Sequence, residues 1–73
     1  MKISYDDDVD ALYIRLLEGE HEVRTLRLTD EVALNIGLDK QLVGIEVLDA
    51  KKILGKGQLP KLLIENLNYS VAT

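Results

Sequence analysis

The sequence predicts a small α+β fold: an antiparallel β-meander of five strands, followed by C-terminal helical segments packed on one face. Three observations carry this. Apolar and polar residues alternate in five short stretches between residues 2 and 48, and a period of two marks a half-buried strand. Short polar connections join the stretches, and antiparallel neighbours accept such tight links whereas parallel ones do not. After Asp49 the apolar period becomes helical, with Leu59, Leu62, Leu63 and Leu67 at i, i+3, i+4 and i+8.

The elements follow in order. In "KISY", residues 2–5, Ile3 and Tyr5 share a face. In "ALYIRLL", residues 11–17, Leu12, Ile14 and Leu16 point one way and Tyr13 and Arg15 the other. "DDDVD" between them has hairpin length, and "EGEH", residues 18–21, is a turn in which Gly19 supplies a permissive backbone. "EVRTLRL", residues 22–28, is a third, weaker strand. "VALNIGL", residues 32–38, places Val32, Leu34, Ile36 and Leu38 inside and Ala33, Asn35 and Gly37 outside. "LVGIEVL", residues 42–48, puts Val43, Ile45 and Val47 on one face after a turn at "DKQ". Asp49 is placed to cap a short helix over "AKKIL" through its carboxylate, with Gly55 just past the helix end. Pro60 suits the first turn of a second helix.

Composition bounds the function. The chain has 73 residues, 47% of them hydrophobic, with no Cys, one His and a formal net charge of −4. A domain of this size buries only about 60% of its unfolded surface. Without Cys it has neither disulfides nor thiolate metal sites, and oligomerisation is the remaining common support. A general nucleic-acid binder would carry a basic face, and none is expected here. No apolar run reaches the roughly 20 residues of a membrane span, and the acidic run after "MKISY" contradicts a secretory signal; a soluble, cytoplasmic protein is expected. Charge is uneven: residues 1–22 hold seven acids and two bases, and residues 50–61 hold four Lys and no acid. That asymmetry reads as two solvated surfaces, as self-complementary pairing in an oligomer, or as a small anion-binding patch.

Candidate sites are few, and each has a plain structural reading. Asp6-x-Asp8-x-Asp10 mimics the start of a calcium loop, but that loop needs Gly at its sixth position and Glu at its twelfth. Those positions hold Ala11 and Leu17. Aspartates also form turns by bonding nearby backbone N–H groups, so Asp6 and Asp10 are expected to bracket the loop while Asp7 and Asp8 are solvated. His21 in "EGEHE" has no nucleophile at a telling spacing. Glu46 is a carboxylate in an apolar strand: either a buried acid with a raised pKa or a residue that alternation puts on the wet face. "GKG" at 55–57 lacks the leading spacing and hydroxyl of a phosphate loop.

Two segments, "YDDDVDALYIRL" and "DKQLVGIEVLDAKK", strongly resemble a bacterial and archaeal family catalogued as domain of unknown function 2283. The matching residues are Tyr5, Asp6 and Asp10 to Ile14, then Val43 to Ala50. The resemblance spans about residues 1–52, and "EVRTLRL" departs most from it, with Arg24 and Arg27 where the family tends to be acidic. It implies a compact β-rich fold and carries no catalytic, cofactor or metal residue. The chain is then one domain, 1–73, with a meander over 1–52 and a helical extension over 53–73.

Asp6, Asp10, Glu46 and Asp49 are the candidate functional residues. Tyr13, Leu17, Leu42 and Leu48 suggest a second apolar face, and a sheet with two apolar faces invites a second layer. The function expected is a non-enzymatic interaction module, a homodimer through the C-terminal segment or a binder of a protein partner, in one version an antitoxin-like acidic protein. The alternative is a ligand- or metal-binding protein or enzyme using an Asp/Glu cluster at a subunit interface.

Overall fold

A computed structural model describes residues 1–61. Five strands form one antiparallel sheet: β1 (Lys2–Asp6), β2 (Ala11–Arg15), β3 (Arg24–Arg27), β4 (Val32–Ile36) and β5 (Leu42–Val47), followed by one short helix, α1 (Ala50–Leu54). Strand content and antiparallel pairing match the sequence reading; the meander does not. The spatial order is β1-β2-β5-β4-β3, so β5 inserts between β2 and β4. Strands β3, β4 and β5 are joined consecutively, and β2 lies beside the last of them, the arrangement of a Greek key.

Composition explains the insertion. β5, "LVGIEV", with Gly44 and Glu46 as its only residues outside the aliphatic class, takes the centre, and three of its six residues are buried. β3, "RTLR", is the most polar, and all four of its residues are exposed at an edge. Short connections show that strands are antiparallel, but they do not say which strands touch. The connection over residues 16–23 is the one that crosses the sheet.

Register separates the two faces. Ile3, Ile14, Ile45, Leu34 and Leu26 are successive cross-strand partners, an aliphatic row running through all five strands. Tyr5, Leu12, Val47 and Val32 form a second row on the same face. The opposite face holds Ser4, Tyr13, Arg15, Thr25, Arg27, Asn35, Gly44 and Glu46, so the expected second apolar face is a polar one. Tyr13 is its one large ring, and the ring ends in a hydroxyl that accepts from Asn35 Nδ2 at 3.0 Å. Ala33 also departs from expectation: it is only 1% exposed. It lies in register between Arg27 and Glu46, whose side chains meet above it at 3.3 Å. A small residue is what such a bridge can cover.

The sheet is not perfectly regular. Leu16 and Leu17 N–H both donate to the Val43 carbonyl, at 2.8 and 3.3 Å. Two successive donors on one acceptor mark a β-bulge, which ends the β2–β5 pairing. β4 ends at Ile36, so Leu38, expected inside, opens the turn to β5 instead and is 72% exposed; that turn closes through Gln41 N–H on the Leu38 carbonyl at 3.2 Å. Its two central residues, Asp39 and Lys40, have φ of 57° and 62°, the type I′ geometry whose twist suits a hairpin. Lysine has no local means of relieving the left-handed conformation, which costs roughly 1 kcal/mol. Lys40→Gly is therefore expected to raise stability by about 0.5–1 kcal/mol, read as a higher urea midpoint.

Helix α1 occupies the span expected of it, with Gly55 beyond its end. Gly55 is extended, with φ −147°; what demands glycine is space, since a Cβ there would strike the Gln58 carbonyl. The chain is mostly β, with only this one short helix among the described residues, so the expected C-terminal helical segments overstate its helix content. Leu59, Pro60 and Lys61 are not helical; the remainder of the expected second helix, with Leu62, Leu63 and Leu67, lies outside the described residues. No helix among the described residues is long and apolar enough to cross a membrane.

Candidate functional site

The aspartate loop resolves into two different roles. Asp6 Oδ1 accepts from the Asp8 N–H at 3.0 Å, a local turn bond. Asp7 and Asp8 are exposed, as the sequence suggests. Asp10 is the hub. Its backbone is left-handed, φ 53°, a conformation aspartate tolerates better than most residues. Its Oδ1 accepts from the Tyr5 hydroxyl at 2.7 Å. Both of its carboxylate oxygens face the Lys51 N–H, at 3.2 and 3.3 Å, and its carbonyl accepts from the Ala50 N–H at 3.0 Å.

Asp10 therefore caps α1 from 41 residues away, satisfying two of the orphan N–H groups of its first turn. Asp49 stands at the N-cap position but makes no side-chain capping bond. A capping side chain reaches the first turn from an extended backbone, whereas Asp49 is left-handed, φ 49°. The expected helix is correct and the expected capping carboxylate belongs to a different residue. Tyr5, the second partner of Asp10, is among the residues that carry the family resemblance, but its bond to Asp10 is not legible in the sequence, because it depends on the β1–β2 hairpin folding it back onto residue 10.

The hydrogen bond to Asp10 is the main force on the Tyr5 phenol. Desolvation and the negative charges of Asp10, Asp7 and Asp6 add to it, pushing its pKa from 10.0 up to about 12. A raised pKa means that the native state holds this proton more tightly than the unfolded chain. The associated stability is complete below pH 10 and is lost as pH climbs from about 10 towards about 12. Urea midpoints measured across that window are expected to fall more steeply for the native chain than for Tyr5→Phe, which has no phenol to titrate.

Glu46 lies on the polar face, with its side chain 41% exposed and its Oε1 3.3 Å from Arg27 Nη2. Its partner comes from β3, two strands away, a neighbour that only the topology reveals. Asp6 and Glu46 line one open groove with Ser4, Asp8 and Tyr13. Asp10 is not in its walls, and Asp49 sits at the start of α1, so the four candidate residues do not converge on one point. His21 is exposed, with Nε2 against the Glu18 carbonyl. Among the described residues, no three His, Cys, Asp or Glu side chains are grouped to hold a metal ion.

The remaining polar-face feature links two segments named by the sequence. A Cβ on Gly44 would overlap the Tyr13 hydroxyl and ring, so the ring lies directly across Gly44. Beyond it, Asn35 Nδ2 donates to Tyr13 Oη and Thr25 Oγ1 donates to Asn35 Oδ1, each at 3.0 Å. This polar chain crosses from β2 to β3, and Gly44 is the floor it runs over.

A Greek-key antiparallel sheet tied to a single short helix by a long-range aspartate defines a small β-rich domain. The chain belongs to the family described as protein of unknown function (DUF2283), whose profile matches residues 2–51. No curated protein and no solved structure matches the chain.

Proposed function

We propose that this protein is a non-enzymatic interaction module, acting as a homo-oligomer or on a protein partner. One observation carries the reading: among the described residues, the apolar face of the sheet is under-covered. The buried core comprises Ala33, Val43, Val47 and Ala50, all small or medium residues, and no large side chain is fully buried among the described residues. Ile3, Leu26, Leu28, Ile53 and Leu54 are instead between 38% and 56% exposed. Contiguous exposed apolar surface is the usual mark of a surface built to meet another. The polar face supports the same reading from the other side, because several of its side chains are spent on one another: Arg27 on Glu46, Thr25 on Asn35 and Asn35 on Tyr13. The net charge of −4 favours a basic partner, as for a small antitoxin-like protein.

Light scattering of the purified full chain at micromolar concentration, followed by affinity capture with the tagged chain, tests the reading. A mass above the 8.2 kDa monomer, or a stoichiometric captured protein, supports it. A strictly monomeric chain that captures nothing removes it.

A further inference from the structure

The two edges of the sheet are chemically unlike. β3 at one edge carries Arg24 and Arg27 and no acid, so two copies side by side would gather four guanidinium groups. Arg24 shares the face of Leu26, and an inward-pointing charge of this kind blunts an edge against pairing. β1, "KISYD", at the other edge, has no Pro, no inward-pointing charge and an unbroken register from Lys2 to Asp6. Lys2, Ile3, Ser4 and Asp6 are all exposed. An edge that is regular, and unpaired among the described residues, is a template for another strand.

We propose that β1 pairs antiparallel with β1 of a second copy, about a two-fold axis at Ser4, joining the sheets into one of ten strands. This rests on the reading of the protein as a self-associating module and names the surface it uses. The sequence of β1 is self-complementary in this one register. Lys2 falls opposite the partner's Asp6, Ile3 opposite the partner's Tyr5, and Ser4 opposite the partner's Ser4. The two-fold repeats each contact, giving two ion pairs on the polar face and two apolar pairs on the other. Opposite charges directly across an antiparallel pair stabilise it, and like charges oppose it. Among the described residues Lys2 has no acid within ion-pair distance, so its charge is available.

The neighbouring surface is continuous with this edge. Ile3, Tyr5, Leu12 and Ile14 form the floor of an apolar groove walled by Leu54 and Leu59. Pairing at β1 sets this groove beside its copy, so the aliphatic row ending at Ile3 runs on into the partner's Tyr5 and Leu12. A self-pairing of this kind is isologous and closes at two copies, because each chain has one such edge.

Ser4→Cys tests the register. Directly opposite residues in an antiparallel pair lie about 4.5–5.5 Å apart at Cα, inside the range a disulfide spans, and the chain has no cysteine of its own. Mild oxidation is expected to convert Ser4→Cys to a covalent dimer, while Val9→Cys, in the β1–β2 turn outside the paired strand, forms no covalent dimer. Lys2→Glu and Asp6→Lys are each expected to weaken the dimer about tenfold by sedimentation equilibrium. The double swap K2E/D6K should return it to within about threefold of the native value, a rescue that mere damage to the fold would not give. A native dimer in which Ser4→Cys fails to cross-link and the double swap fails to recover overturns the β1 edge while leaving self-association intact. A full chain that is monomeric at 100 micromolar overturns self-pairing itself, and the interaction reading then stands or falls on affinity capture.

Discussion

Replacing Asp10 with alanine is expected to cost about 3 kcal/mol, against less than about 0.5 kcal/mol for Asp7→Ala. The difference follows from the partners. Asp10 accepts from the Tyr5 hydroxyl and from the Lys51 N–H, and hydrogen bonds to a charged acceptor contribute roughly 1.5–3 kcal/mol, neutral ones about 1. The Lys51 N–H and the Tyr5 hydroxyl are only part-buried, so water recovers a share of the loss. Alanine at φ 53° adds roughly 1 kcal/mol of left-handed strain. For a 73-residue chain whose total stability is on the order of 4–11 kcal/mol, that is roughly a quarter or more of the whole. Asp10→Asn keeps an acceptor and a residue that tolerates this backbone, and belongs between the two. Equal urea midpoints for Asp10→Ala and Asp7→Ala would refute the role given to Asp10. A Tyr5→Phe change made on top of Asp10→Ala should add almost nothing, since its partner is already gone.

Local features were legible in the sequence, and long-range ones were not. The faces of β2 and β5 follow from alternation alone, and the helix over Ala50–Leu54 follows from Asp49 and Gly55 as punctuation. The division of labour in the aspartate loop also follows, because a turn bond such as Asp6 to Asp8 spans two residues. What escaped depends on pairing between distant strands. Tight turns are equally compatible with a meander and with a Greek key, so the place of β5 had to come from its burial on both sides. Glu46 meets Arg27, and Asp10 meets Lys51, only after that placement is known. Ala33 reads as outward by period and is outward by face, yet it is buried, because the residues on either side of it in space are not its neighbours in sequence.

The same distinction sets the most discriminating mutation. Gly44→Ala is expected to destabilise the native chain by about 1–3 kcal/mol, the usual cost of forcing an atom into occupied space. The occupied space is the Tyr13 ring and hydroxyl. The ring cannot move aside freely, because Asn35 Nδ2 holds its hydroxyl at 3.0 Å and Thr25 holds Asn35. Accommodating the methyl group means breaking that chain and lifting the ring into water. In a Tyr13→Ala background there is nothing to strike. Glycine in a strand is then only a liability, by roughly 0.5–1 kcal/mol relative to alanine, so the same Gly44→Ala change should become neutral or stabilising. The effect reverses sign with a partner 31 positions away in sequence, and a double-mutant cycle on urea midpoints reads the coupling directly. If Gly44→Ala costs the same in both backgrounds, glycine is required at this position for a backbone reason, and the ring above it is incidental.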